Sequence, residues 1–174
     1  SSNVDDIIQH VLDETGLEVR VLSDEEEAFY GNYAVRYTFN IYDGISVDIG
    51  GGSTEVTLFK NKEVVHSHSF PFGAVSLTNQ FFIGKDHNDL DAINETTKWV
   101  KKQFKKVDWL AKNNIPIIAI GGSARNLAEV YQLQTDYPLA GTHGYTMTPE
   151  LVNETLDIFK ETSYKKLDSL DGLS

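Results

Sequence analysis

Apolar and polar residues alternate with helical spacing in the first third of the chain. One face of a first helix collects the apolar side chains of Val4, Ile7, Ile8, Val11 and Leu12. Asn3 is suited to cap the start of this helix and Gly16 its end. Residues 18–22 alternate with period two and predict a strand. Ser23 and Glu26 then form a capping-box pattern, which predicts a second helix to about Tyr33.

Three strands are predicted next, over residues 45–49, 55–59 and 64–70. The segment 60–62 is short and polar, as expected of a hairpin turn between the last two. A short helix over residues 74–82 and a long amphipathic helix over residues 89–113 follow. The almost wholly apolar run 116–120 predicts a strand in a sheet covered on both faces.

The last third of the chain predicts two more helices. One follows Gly121 and Gly122 and covers about residues 124–133. The other begins at Thr148 and Pro149, a strong N-cap and N1 pair. Strands that alternate with helices in this order predict an α/β fold, a mixed sheet flanked by helices.

Composition narrows the class of protein. The chain has 174 residues, 40% of them hydrophobic, with 4 prolines and no cysteine, which suits one folded domain over residues 1–174. No apolar run reaches the roughly 20 residues that span a bilayer, so we expect no membrane partner. The net charge of −11 argues against nucleic-acid binding. The absence of cysteine fits a reducing, cytoplasmic setting.

The run from Ile45 to Glu55 carries the clearest chemical signal. Gly50, Gly51 and Gly52 form a turn without side chains, where backbone N–H groups and the Ser53 hydroxyl are able to approach a phosphate. Asp48 and Glu55 place carboxylates on its rim, a pattern that indicates Mg²⁺-assisted phosphoryl chemistry. The alternative is a hairpin with a glycine bulge.

A second glycine turn precedes a helix at Gly121, Gly122 and Ser123. It predicts a further phosphate site at a helix N-terminus, or a glycine pair that lets helix and strand pack closely. His66 and His68 would share one strand face, and a structural role is favoured over metal binding because no third ligand lies nearby in sequence.

Residues 48–55, Asp-Ile-Gly-Gly-Gly-Ser-Thr-Glu, resemble the signature of the Ppx/GppA family, the exopolyphosphatases and guanosine pentaphosphate phosphohydrolases. The other matching segments are residues 14–19, 22–28, 72–76, 120–128, 143–145 and 170–174. The chain departs from the family pattern at Asp24, where glycine is usual, and at Ser123, where threonine is common. Asp24 adds a negative charge beside a site for polyanions.

The resemblance implies a pair of actin-like (ASKHA, ribonuclease H-like) domains with the active site between them. This chain corresponds to the second domain, and the first, with its own phosphate loop, is absent. Glu27, in the Ser-x-x-Glu-Glu-Ala motif, is implied as the catalytic carboxylate. Asp48 and Glu55 are the expected Mg²⁺ ligands, with Glu55 also a candidate for holding the attacking water. Residue chemistry alone favours a different role for Glu27, in which its charge complements the positive end of a helix dipole.

Three functions are consistent with these observations. The first is release of terminal phosphate from inorganic polyphosphate, and the second is guanosine pentaphosphate hydrolysis by the same residues. The third is a regulatory module that binds polyphosphate or a nucleotide without catalysis. We expect the full-length protein to be a homodimer, and this chain alone to be inactive.

Overall fold

The computed structural model describes residues 3–112, 114–138 and 141–163, together with residues 166, 170 and 172. The described part folds as a mixed sheet with helices around it. The helices are α1 (Val4–Thr15), α2 (Asp24–Thr38), α3 (Ala74–Phe81), α4 (Leu90–Phe104), α5 (Gly122–Gln134) and α6 (Pro149–Glu161), with a 3₁₀ helix over Leu110–Lys112. The strands are β1 (Gly44–Ile49), β2 (Thr54–Lys60), β3 (Glu63–Phe70) and β4 (Ile117–Ile120).

The sheet has the strand order β3-β2-β1-β4. β1, β2 and β3 form an antiparallel meander, and β4 pairs parallel to β1. Asn61 and Lys62, with φ of 50° and 62°, make the turn between β2 and β3, as a tight hairpin requires. The parallel pairing of β4 needs a long crossover, which contains α3 and α4. The predicted mixed sheet is confirmed.

The core lies between the sheet and α4. Val56, Phe70, Phe72 and Val107 are buried together. The Phe72 ring packs edge-on against Trp99 of α4, with ring centroids 5.2 Å apart. Phe70 packs against Phe104 in the same way, at 5.0 Å. Aromatic side chains therefore fix α4 on the sheet.

Helix α2 begins at the predicted capping box. The Ser23 hydroxyl accepts from the Glu26 N–H at 3.2 Å, and the Glu26 carboxylate accepts from the Ser23 N–H at 2.9 Å. The helix continues to Thr38, beyond the predicted end near Tyr33, because Val35 and Arg36 are buried. Arg36 also donates to the carbonyl of Lys62, which ties α2 to the β2–β3 turn.

Three predicted elements differ from the structure. Residues 18–22 form no strand, because no other described strand lies beside them. The long helix ends at Phe104, where the chain turns so that Val107 enters the core; residue 113, its predicted end, lies outside the described residues. β4 was predicted to be covered on both faces, but Ile117 on one face is 70% exposed. β4 lies at the edge of the described sheet.

No helix in the described part of the chain combines the length and apolarity needed to span a membrane.

Candidate active site

A pocket forms where α2 lies against β1 and β2. Its lining comes from four elements and consists of Glu27, Gly31, Ser46, Asp48, Glu55, Thr57 and Ile120. Glu27 and Gly31 are four residues apart on α2, and therefore on one helix face. Four of the five strand residues come in pairs two apart, and Ile120 is the partner of Asp48 in the β1–β4 pair, so all five lie on one face of the sheet. The pocket brings together all three predicted carboxylates.

Strand register places two of these carboxylates side by side. Asp48 and Glu55 are direct cross-strand partners in the β1–β2 hairpin, and Ser46 and Thr57 are partners beside them. Asp48 also lies opposite Ile120 in the parallel β1–β4 pair. Like charges directly across a strand pair repel. The hairpin therefore holds two negative charges close together at one end of the sheet.

The electrostatics of this pair favour a bound cation. Burial, and secondarily the charge of Glu55, raise the pKa of the Asp48 carboxyl. The Glu55 carboxylate accepts a hydrogen bond from the Ser69 hydroxyl at 2.9 Å, which fixes its position. A cation beside both groups would offset the repulsion and the loss of hydration at Asp48.

The same carboxylates do not make a complete metal cage. Within the described residues, no group of three or more His, Cys, Asp or Glu side chains is arranged to hold a metal ion. Mg²⁺ is commonly bound by one or two carboxylates, with water and substrate phosphate oxygens filling the other positions. Asp48 and Glu55 fit that mode of binding.

The glycine loop, residues 50–53, joins β1 to β2 next to Asp48 and Glu55. Its Gly50 N–H is bonded to the Ser53 carbonyl at 3.0 Å. The N–H groups of Gly51, Gly52 and Ser53 donate to no described residue. Gly51 and Gly52 are exposed. Of the four loop residues predicted to bind phosphate, three thus have backbone N–H groups without a described partner, and two of these three residues are exposed.

The loop is seated on the start of α3. The N–H groups of Ala74 and Val75 donate to the carbonyls of Gly50 and Gly51, each at 2.9 Å. A Cβ on Gly73 would lie 2.3 Å from the Gly50 oxygen and 2.8 Å from the Ser53 oxygen. Only glycine permits this approach. No role was predicted for Gly73 from the sequence, although a glycine directly before a predicted helix was a signal of close backbone packing.

The second glycine turn lets α5 pack closely against the end of β1. Gly121 has φ of +91°, and a Cβ there would lie 2.8 Å from an Asp48 carboxylate oxygen. Close packing of α5 against the end of β1 therefore requires Gly121. Gly122 and Ser123 begin α5, are exposed, and do not line the pocket. The phosphate-binding prediction for Gly121, Gly122 and Ser123 remains a prediction.

The structure adds residues that sequence reasoning did not identify. Ser46, Thr57, Gly31 and Ile120 line the pocket. Ser46 lies two residues before Asp48, and Thr57 lies two residues after Glu55. Period-two alternation along a strand was therefore a signal that these hydroxyls share a face with the carboxylates. His66 and His68 contact the rings of Trp109 and Phe70, in keeping with the structural role favoured above.

These features define an α/β domain of the actin-like class, with a carboxylate pocket beside a glycine loop. The model of the Ppx/GppA phosphatase family matches residues 1–174. The chain belongs to the Ppx/GppA phosphatase family.

Relatives of known structure or name agree with this assignment. A crystal structure of the Aquifex aeolicus member of the Ppx/GppA family superimposes with a TM-score of 0.76 and 27% identity, covering 97% of this chain and 54% of that one. The bifunctional 3-dehydroquinate synthase/phosphatase of Fusobacterium nucleatum is 29% identical over 98% of this chain and 27% of its own length. Exopolyphosphatase 1 of Mycobacterium bovis is 35% identical over 47% of this chain and 24% of its own length. This chain thus spans about half of the solved relative and about a quarter of the named ones.

Gly73→Ala and Gly52→Ala are expected to separate packing from ligand access. Gly73→Ala should lower the unfolding free energy by about 1–3 kcal/mol, since the new methyl group overlaps backbone atoms. A Cβ on Gly52 meets no atom of the described residues within 4 Å and its φ is not positive, so Gly52→Ala should change the unfolding free energy by less than about 0.5 kcal/mol. Gly52→Ala should instead weaken the binding of inorganic phosphate at the loop, because a methyl group crowds the exposed donors.

Urea denaturation and a titration with inorganic phosphate on both variants measure these effects. A Gly73→Ala variant as stable as the wild type would show that the loop is not seated on α3 as described.

Proposed function

We propose that the full-length protein is a Mg²⁺-dependent phosphoanhydride hydrolase that releases terminal phosphate from inorganic polyphosphate. The observation that supports this most strongly is the convergence of Glu27, Asp48 and Glu55 in one pocket. Phosphoryl transfer to water needs a positioned phosphate, a cation and a carboxylate that orients the water. The pocket and the adjoining glycine loop supply a candidate for each requirement.

Each residue has a distinct role in the proposed reaction. The N–H groups of residues 51–53 hold phosphate oxygens. Asp48 and Glu55 would hold Mg²⁺, which supplies positive charge to the transferring phosphoryl group. Glu27 orients a water molecule and accepts its proton as the oxygen attacks the terminal phosphorus. The anhydride P–O bond breaks, and the shortened chain leaves with the bridging oxygen.

Polyphosphate is the preferred substrate in this proposal for a specific reason. The segment shared with exopolyphosphatase 1 is 35% identical, above the level shared with the other relatives described here. Guanosine pentaphosphate is the second candidate, because its terminal anhydride presents the same reacting atoms.

We further propose that the other actin-like domain of the full-length protein, the first of the pair, completes the site. The accessible surface of this chain is 12,031 Å², against about 8,500 Å² for a compact monomer of its mass. Helix α1 has no buried residue. Apolar side chains of this helix are exposed, among them Ile7 at 51% and Leu12 at 37%, and exposed apolar surface of this kind supports a partner domain that covers it.

Residues 17–22 are a candidate contact for the partner domain. Leu17, Val19 and Val21 alternate along this segment and are 65%, 43% and 57% exposed. No backbone N–H or carbonyl of residues 18–22 is hydrogen-bonded to a described residue. An extended, alternating segment with unpaired backbone groups fits the edge of another sheet. This pairing would explain why the sequence predicts a strand that the chain alone does not form.

Phosphate release by the full-length protein with Mg²⁺, supplied with polyphosphate or with guanosine pentaphosphate, tests the proposal. We expect a higher kcat/KM for polyphosphate. The reverse preference would establish the second substrate. Tight binding of polyphosphate with no release of phosphate would instead establish a regulatory binding module.

A further inference from the structure

Gly31 lies in the interior of α2, where the fold gives no reason for a glycine. Its φ is not in the left-handed region, and a Cβ added to it would meet no atom of the described residues within 4 Å. Glycine destabilises a helix interior relative to alanine because it loses more backbone entropy on folding. Helix α2 would therefore be more stable with alanine at position 31.

The pocket, rather than the packing of α2, explains why position 31 is a glycine. Gly31 and Glu27 both line the pocket, one helical turn apart. A helical side chain leans toward the N-terminus and covers the turn that precedes its own Cα. A side chain at position 31 would therefore extend over Glu27 and into the space in front of Asp48.

We propose that Gly31 is a positioning residue that keeps Glu27 open to the attacking water and to the terminal phosphoryl group, an inference that rests on the proposed hydrolase function. Its missing side chain reserves the volume in which the reacting atoms meet. Glycine makes α2 less stable but leaves the Glu27 carboxylate accessible. Such a loss of stability is common where a functional site needs a residue that disfavours the local helix.

Two substitutions in the full-length protein test this role. Gly31→Ala adds one methyl group, and Gly31→Leu adds a side chain long enough to reach across Glu27. Both residues favour helix, so both variants should unfold at a higher urea concentration than the wild type. The kcat/KM for polyphosphate should fall a few-fold for Gly31→Ala and on the order of 10²-fold for Gly31→Leu, the scale of a misplaced reacting group.

Ala34 offers a matched control on the same helix. It is exposed and does not line the pocket. Ala34→Gly should lower the unfolding midpoint and leave kcat/KM unchanged. The double variant Gly31→Ala/Ala34→Gly keeps the helix composition constant, so its midpoint should stay near that of the wild type while its kcat/KM matches that of Gly31→Ala.

The outcomes distinguish this inference from the proposed function. A wild-type protein that hydrolyses neither polyphosphate nor guanosine pentaphosphate contradicts the hydrolase, and with it the role of Gly31. An active wild type with a Gly31→Leu variant of equal kcat/KM overturns the role of Gly31 alone. A Gly31→Ala variant less stable than the wild type would also overturn it, because the fold would then require the glycine.

Discussion

Replacing Glu27 by glutamine is expected to lower the kcat of the full-length protein by roughly 10²–10⁴-fold, the usual contribution of a general base. Glutamine keeps the size of the side chain but does not accept the proton of the attacking water. The start of α2 should be unaffected, since its capping contacts come from Ser23 and Glu26. The unfolding midpoint should therefore stay near that of the wild type.

Glu26 provides the matched control for this substitution. Its carboxylate caps α2 and contacts Arg20 at 2.6 Å, and it does not line the pocket. Glu26→Ala should lower the unfolding free energy by about 1 kcal/mol, as loss of a cap does, and leave kcat unchanged. Steady-state kinetics with urea denaturation compares the two variants. Near-full activity in Glu27→Gln would reassign the proton acceptor to Glu55.

Asp48→Asn is expected to have opposite effects on activity and on stability. The variant should lose most of its response to Mg²⁺, because one of the two proposed ligands becomes neutral. Without metal at neutral pH it should be more stable than the wild type. Burial and the charge of Glu55 raise the pKa of Asp48, so its ionised form destabilises the folded state.

The pH dependence of the unfolding free energy tells whether the ionised Asp48 carboxylate stabilises or destabilises the folded state. The folded state holds the Asp48 proton more tightly than the unfolded state does. Wild-type stability should therefore gain a contribution as the pH falls from neutral through the raised pKa, and Asp48→Asn should lack it. Hydrogen bonds lower the pKa values of Glu26 and Glu150. The stability that these two groups contribute is lost at lower pH in both proteins, so it cancels when the two are compared.

Urea denaturation of metal-free protein across this pH range, and Mg²⁺ titration of activity at one pH, measure the two effects. An Asp48→Asn variant with the Mg²⁺ response of the wild type would remove Asp48 from the metal site. Equal stabilities at all pH values would show that its burial carries no electrostatic penalty.

Local signals predicted the parts of the fold that depend on neighbouring residues. The capping box at Ser23 and Glu26 and the turn at Asn61 and Lys62 are contacts within a few residues, and both formed as expected. The end of α4 was predicted wrongly because it depends on Val107 reaching a distant core. Residues 18–22 carry the pattern of a strand, yet a strand needs a partner that sequence periodicity does not supply.

The residues of the candidate site likewise fall into those that local sequence predicts and those that depend on contacts between distant parts of the chain. Asp48 and Glu55 flank one hairpin loop, so their closeness follows from local register. Glu27 was predicted from the family resemblance, since its residue chemistry alone favours a helix-dipole role. Gly31 and Gly73 matter because of what lies across from them in space, which no spacing along the chain reveals.

The measurement that tests the central claim most directly is phosphate release from polyphosphate by the full-length protein and by this chain alone, each with Mg²⁺. One wall of a cleft does not preorganise both sides of a transferring phosphoryl group. We therefore predict steady release by the full-length protein, abolished by a chelator, and negligible release by residues 1–174. Full-length protein that binds polyphosphate without hydrolysing it, or robust turnover by this chain alone, would contradict the account.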